Sequence, residues 1–224
     1  MNNKILCIIP AREGSKGIKN KNIIKLGKQP LLIHSLNFAK KLKFISKIIV
    51  STDSKRYAKL CKKNYFEVGK LRPKRLAKDA TKTIDVIKYE LNKLENKHEF
   101  KYILLLQPTC PYRSLKDFYF AIKKMKSYDS IYTINEVKEH PSRMYVKKNG
   151  IIEGYLKSST DMFKRRQKLK KIFIRSGSMY LFKTKNIFSK NFYGNKIYGI
   201  EVKGKFKINI DTYEDLILAK NYIK

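Results

Sequence analysis

The sequence predicts an α/β fold, a mostly parallel sheet with helices on both faces. Two observations carry this. Short apolar runs that are continuous rather than alternating recur at residues 4–10, 47–52 and 102–106 (KILCIIP, KIIVST, YILLL). Strands of that kind are buried on both faces, the condition of a parallel sheet. Between them lie segments with apolar residues at helical spacing, so strand and helix alternate.

The first run, 4–10, is Ile-rich and stops at Pro10, a residue that cannot donate to a strand ladder. Residues 30–43 carry Leu32, Leu36 and Ala39 on one helical face. A strand at 47–52 and a helix at 54–64 follow. Residues 83–97 form an amphipathic helix with Ile84, Ile87, Leu91 and Leu94 on one stripe. The apolar strand 102–106 leads to a helix at 115–126 and a strand at 130–135. Beyond Glu136 the pattern loosens into short β-like pieces, 143–146 and 151–155, among turns and charges. Strands return at 178–182, 197–202 and 206–210, and a helix closes the chain at 212–223. Residues 136–176 therefore read as an excursion from the main sheet, and residues 1–224 as one domain, a length that supports a large core.

The chain has 52 Lys and Arg against 18 Asp and Glu, a net charge of +34. Such a balance raises nucleic-acid binding, which phosphate neutralisation dominates. Yet lysines accompany nearly every element, and Lys, Asn, Ile, Tyr and Phe are all abundant while Trp is absent. A base-composition bias toward A/T-rich codons produces that pattern, so no specific nucleic-acid partner is expected. Cys7, Cys61 and Cys110 are widely spaced, which suggests neither a zinc site nor a disulfide framework. The apolar run near the N-terminus is too short for a signal or membrane segment. A soluble, reduced, cytoplasmic protein without membrane attachment is the expectation.

The loop after the first strand, IIPAREGSKGIKNKN, is rich in cations and glycine. In open α/β sheets ligands bind outside the carboxyl ends of the strands. Gly14 and Gly17 let backbone approach an anion, Arg12 offers a forked donor, and Lys16 and Lys21 offer point charges. The loop fits neither GxxxxGK[ST] nor GxGxxG, and on its own it reads equally as a basic turn.

Further stretches add to it: IIVSTD (48–53), LRP followed by LAKDATKT (from 71), LLQPTCPYR (105–113), RQ then RSGSMY (166–180), and NIDTYEDL (209–216). Taken in register, these resemble the acylneuraminate (CMP-sialic acid) cytidylyltransferases, with a weaker likeness in EHPSRMY to the legionaminic-acid branch. The resemblance spans about residues 4–223. It implies a Rossmann-like sheet of the nucleotidyltransferase type and transfer of CMP from CTP to the anomeric hydroxyl of a nonulosonic acid, with Mg2+ and release of pyrophosphate. Legionaminic, pseudaminic or 3-deoxy-octulosonic acid are alternative acceptors. A nucleotide-binding relative with weakened catalysis is a further alternative.

The resemblance assigns Arg12, Lys16 and Lys21 to the triphosphate and leaving group, with Ala11 and Ser15 beside them. Asn22 and Arg72 go to the cytosine. Gln107, Arg166, Gln167, Arg175 and Tyr180 go to the sugar acid. Asp211 and Asn209 go to the metal. On the residues alone, Gln107 reads equally as a loop-capping amide and Tyr180 as a core aromatic; a helix cap at Asp211 is the lesser reading, because Thr212 or the acids Glu214 and Asp215 suit capping better. Departures from the family pattern include Cys110 for Ser, Tyr112 for Leu, Ser176 for Asn, and Asn209 for Asp. An uncharged Asn209 implies weaker attraction for a divalent cation. The resemblance also makes the excursion at 136–176 a homodimer interface that completes the sugar site.

Overall fold

The computed structural model describes residues 4–15, 17–156 and 163–223. Lys16, assigned above to the triphosphate, lies outside the described residues. Strand β1 (Lys4–Pro10) is the centre of the sheet, with Ile5 through Ile9 fully buried. After β1 come a minimal hairpin, β2 (Lys25–Leu26) and β3 (Gln29–Pro30), helix α1 (Leu31–Lys40), β4 (Ile45–Ser51), α2 (Lys55–Lys63), α3 (Thr83–Asn92), β5 (Phe100–Leu105), α4 (Leu115–Lys124) and β6 (Ser130–Glu136). A second hairpin, β7 (Tyr145–Lys148) and β8 (Ile151–Gly154), forms its own two-stranded sheet. The chain returns through β9 (Phe173–Lys183) and β10 (Ile197–Glu201) and ends in α5 (Tyr213–Lys220).

The main sheet has the order β10-β6-β9-β5-β1-β4. β1 runs parallel to β4 and β5, and β10 parallel to β6. β9 alone is antiparallel to both neighbours. Side-chain parity along β1 separates the two layers of core. Ile5, Cys7 and Ile9 pack with Leu32 and Leu36 of α1, Tyr57 of α2 and Phe118 of α4. Leu6 and Ile8 face the other way, onto Ile87 and Leu91 of α3. The mostly parallel, two-sided expectation holds.

Helix starts follow local chemistry. Ser54 and Ser114 accept from the third N–H of α2 and α4, and Thr212 with Asp215 forms a capping box on α5. Two expectations need correction. The predicted strand 206–210 is a 3-10 turn, Gly204–Lys207, followed by a segment whose Ile210 N–H donates to Thr109 O at 2.8 Å. That segment pairs with a loop, so its extended apolar residues build no sheet. The excursion is also shorter than 136–176, because β6 includes Glu136 and β9 starts at Phe173. The start of β9 is masked in the sequence by Arg175, Ser176, Gly177 and Ser178. Inside the sheet the Ser176 and Ser178 hydroxyls are satisfied by Thr133 Oγ1, at 2.7 and 2.9 Å.

Among the described residues no helix is long and apolar enough to cross a membrane.

Candidate functional site

Three chain segments leave the carboxyl ends of the adjacent parallel strands β1, β4 and β5. The loop after β1 is tied down from both sides. Ala11, buried, donates its N–H to Ser51 O at 2.9 Å. Asn22 Nδ2 donates to Arg12 O at 2.9 Å. Ile18 is buried in a third apolar cluster with Leu26, Leu31, Ile208, Ile210 and Leu216. That cluster draws the loop against the segment before α5. Contact there is so close that a Cβ on Gly17 would stand 2.6 Å from Asp211 O.

The result is a cavity of about 570 Å3. Arg12, Ser15, Lys21, Asn22, Arg72, Gln107, Asn209 and Asp211 all line it, along with Asp79, Thr81, Thr83 and Thr109. Residues far apart in sequence thus meet where the loop alone was ambiguous. Asp79 and Asp211 are the acids among the described lining residues.

The cations differ in how they are held. Arg12 pairs with Asp79, so an incoming polyanion must displace a carboxylate there. Lys21 Nζ donates to Asp211 Oδ1 at 2.5 Å. Arg72 is only 5% exposed, and its Nε and Nη2 make no hydrogen bond. Asp53 Oδ1 lies 3.9 Å from Nη2, an ion pair but not a hydrogen bond. Burial draws the Arg72 pKa down, opposed by the charges of Asp53 and Glu90. Leaving buried donors unpaired costs about 1–3 kcal/mol per group, a cost that a ligand with acceptors in this cavity removes.

Asp211 is not the cap of α5. Thr212 Oγ1 accepts from Asp215 N, and Asp215 Oδ2 accepts from the N–H groups of Asp211 and Thr212. The Asp211 carboxylate is left at the cavity, where Asn209 Nδ2 donates to its Oδ2 at 2.6 Å. Among the described residues no group of three or more His, Cys, Asp and Glu converges as a metal site.

A second cavity, about 480 Å3, adjoins the first. Thr83 and Gln107 line both. Its other walls include Ile84, Ile87, Arg175, Tyr180, Phe182, Phe192 and Tyr193. Arg175 Nη1 donates to Tyr193 Oη at 3.0 Å, with its guanidinium 5.9 Å from that ring centre. That bond raises the Arg175 pKa. Gln107, Arg175 and Tyr180 are therefore brought together. Arg166 and Gln167 are not: they sit in an exposed turn, Arg166–Lys168, outside both cavities, with Arg166 Nη2 donating to Lys138 O at 2.9 Å.

The sequence reading passed over Arg113, the last residue of LLQPTCPYR. Its half-buried guanidinium donates to Ser178 O at 2.7 Å, Ser35 Oγ at 3.1 Å and Gln107 O at 2.5 Å. An arginine closing a Pro-bracketed loop was the available signal. It also passed over Asp79, inside LAKDATKT, and the aromatic pair Phe192 and Tyr193.

The cytidylyltransferase family profile matches residues 6–220. The chain belongs to this family. It is 31% identical over 221 residues to the N-acylneuraminate cytidylyltransferase of Streptococcus agalactiae, covering 96% of this chain and 52% of that protein. The chain thus spans about half the length of that relative. It is 28% identical over 227 residues to the CMP-N,N'-diacetyllegionaminic acid synthase of Legionella pneumophila, covering 99% of this chain and 97% of that protein. Among solved structures, a CMP:2-keto-3-deoxy-manno-octonic acid synthetase complexed with CTP superposes with a TM-score of 0.71 at 14% identity, covering 97% of each chain. At that identity the likeness is one of fold.

Proposed function

We propose that this cytidylyltransferase transfers CMP from CTP to the anomeric hydroxyl of a nonulosonic acid, of the sialic, legionaminic or pseudaminic type, and releases pyrophosphate. The observation that carries the reading is the pair of adjoining cavities joined by Gln107 and Thr83, one cationic with a buried guanidinium whose Nε and Nη2 lack hydrogen bonds, the other lined by aromatics and Arg175. The first suits a triphosphate and a polar base, the second a carboxylated sugar with an acyl group. In the reaction the acceptor oxygen attacks the α-phosphorus as the bond to the pyrophosphate oxygen breaks. Such chemistry is driven chiefly by positioning and charge neutralisation. Arg12 and Lys21 hold the phosphates, with Lys16 expected beside them, and Arg72 and Asn22 read the base. Arg175 holds the acceptor carboxylate, since a guanidinium fork matches two carboxylate oxygens.

Asp211 is the residue that would hold Mg2+. One carboxylate plus nucleotide phosphates is a donor set this ion accepts, since it keeps several waters. Bound there, the ion would neutralise phosphate charge. The hairpin of β7 and β8 supports a homodimer: Tyr145 and Ile152 on one face and Val146 and Ile151 on the other are all more than half exposed, apolar surface of the kind a partner covers. Residues 1–224 then act as one domain, in the cytoplasm where CTP is available.

The test is pyrophosphate release by the purified chain from CTP, Mg2+ and N-acetylneuraminic acid, with UTP and no-sugar controls. Legionaminic, pseudaminic and 3-deoxy-octulosonic acids form parallel arms. Release that requires both CTP and one of these acids is the expected result. Release with none of them would overturn the reading.

A further inference from the structure

We propose that Asn209 is a positioning residue for Asp211, locked in place by the Cys110 thiol, and that its amide oxygen is not offered to a metal ion. The inference rests on the reading above, in which Asp211 faces the phosphates.

The Asn209 amide lies between two side chains of opposite hydrogen-bonding character. Its Nδ2 donates to Asp211 Oδ2 at 2.6 Å. Its Oδ1 accepts from Cys110 Sγ at 3.4 Å. An ionised carboxylate only accepts, and a protonated thiol can donate, so one amide orientation satisfies both neighbours. Turned over, the amide would set oxygen against a carboxylate oxygen. Cys110 is fully buried, and its Sγ is also 3.4 Å from Ser176 O. Its sulfur thus faces two carbonyl oxygens.

The other Asp211 oxygen is held as well, by Lys21 Nζ at 2.5 Å. The carboxylate is therefore clamped between an ammonium and an amide. A metal ion at this rim meets one carboxylate, already paired with a cation, and an amide whose oxygen is turned inward. Such a site attracts a free divalent ion weakly and takes it with the nucleotide, whose phosphates supply the missing charge. Cys110 and Asn209 are in direct contact, and the thiol and the amide act as one unit.

The experiment is Mn2+ binding to the full chain, read by electron paramagnetic resonance without nucleotide and with CTP. Wild type is compared with Asn209→Ala, Asn209→Asp, Cys110→Ala, Cys110→Ser and the double variant Cys110→Ala/Asn209→Ala. Pyrophosphate-release kinetics and thermal unfolding of the same proteins run alongside. In the absence of nucleotide, Asn209→Ala is expected to stay within about twofold of wild type in Mn2+ affinity, and Asn209→Asp to gain about tenfold. Asn209→Ala lowers kcat by about tenfold, the scale of a misplaced group, with KM for CTP nearly unchanged. Cys110→Ala moves kcat the same way, Cys110→Ser restores it, and the double variant is no worse than Asn209→Ala, the signature of two residues acting as one. A tenfold loss of Mn2+ affinity in Asn209→Ala would show the amide oxygen to be a ligand and overturn the proposal. Additive losses in the double variant would remove the thiol from it. Should wild type turn over no acceptor, the functional reading fails while the Mn2+ series still decides the role of Asn209.

Discussion

Arg113 Nη2 donates to Gln107 O at 2.5 Å, and that bond fixes the backbone at the border between the two cavities. The same guanidinium reaches Ser178 O in β9 and Ser35 Oγ in α1. Burial draws its pKa down to about 10, opposed by the nearby Cys110 and Cys7, so it stays charged at neutral pH. Arg113→Met removes all three donors and leaves buried acceptors, costing about 3 kcal/mol or more. Arg113→Lys keeps the charge but loses the fork. Urea melts are expected to rank wild type above the lysine variant and that above the methionine variant. In the lysine variant kcat/KM for the acceptor is expected to fall more than KM for CTP rises, because the lost fork also frees Ser178 O of β9, the strand that carries Arg175 and Tyr180.

Gly177 and Gly17 are each crowded by a site group. Gly177 has φ +84°, and a Cβ there would be 2.5 Å from Gln107 Oε1. At Gly17 the obstruction is Asp211 O. Gly177→Ala is expected to destabilise by about 1–3 kcal/mol through backbone strain and to raise the acceptor KM. Gly17→Ala lifts the loop from Asp211 and raises KM for CTP instead. Separate substrate titrations read this opposite partition.

Arg72 predicts a gain in stability coupled to a loss of function. Its Nε and Nη2 are buried without a hydrogen bond, and the ion pair to Asp53 is long at 3.9 Å. Arg72→Met removes them, and the melting temperature is expected to hold or rise. Preference for CTP over UTP falls by at least about tenfold, because a site built to hydrogen-bond one base loses its donor. Paired melting and competition assays check both halves.

Asp129 gives the chain an acid-side limit. Its carboxyl is pulled down to about 2 by the Lys183 ammonium first, then by the N–H groups of Lys196 and Asn195. The folded pKa lies below the unfolded value of about 3.9. Its contribution is therefore complete above the unfolded value and disappears as pH falls through the folded one. The difference in melting temperature between wild type and Asp129→Asn should be constant above about pH 5 and shrink toward zero near pH 2. A constant difference across that range would remove Asp129 from this role.

The alternation of strands and helices was legible because β1 and β5 are continuously apolar and α3 and α4 carry clean stripes. β9 was legible only in its second half, since serines, a glycine and an arginine hide its start. Those polar groups suit a strand only because Thr133 lies opposite, a partner 40 or more residues away. The lining of the first cavity was readable as local stretches in register. The roles of Arg113 and Asp79 were not: the place of Arg113 at the end of a Pro-bracketed loop marks it, but its partners, two backbone carbonyls and Ser35, and the distant arginine that pairs with Asp79 are not reported by local spacing. The orientation of the Asn209 amide was equally hidden: it depends on two neighbours, one of them 99 positions away.

The antiparallel insertion of β9 has a bearing on how the chain is made. Ribosomal synthesis delivers β1, β4 and β5 early and β6 well before β9, so β5 and β6 wait as two open edges. Until residue 183 is available the sheet is two unjoined pieces, each inviting pairing with the wrong chain. Closing it requires contacts distant in sequence, which slows folding. The wall that carries Arg175 and Tyr180 is laid down in that closing step. The second cavity thus comes into being only when β9 has joined the two pieces, and a partly folded chain lacks that wall.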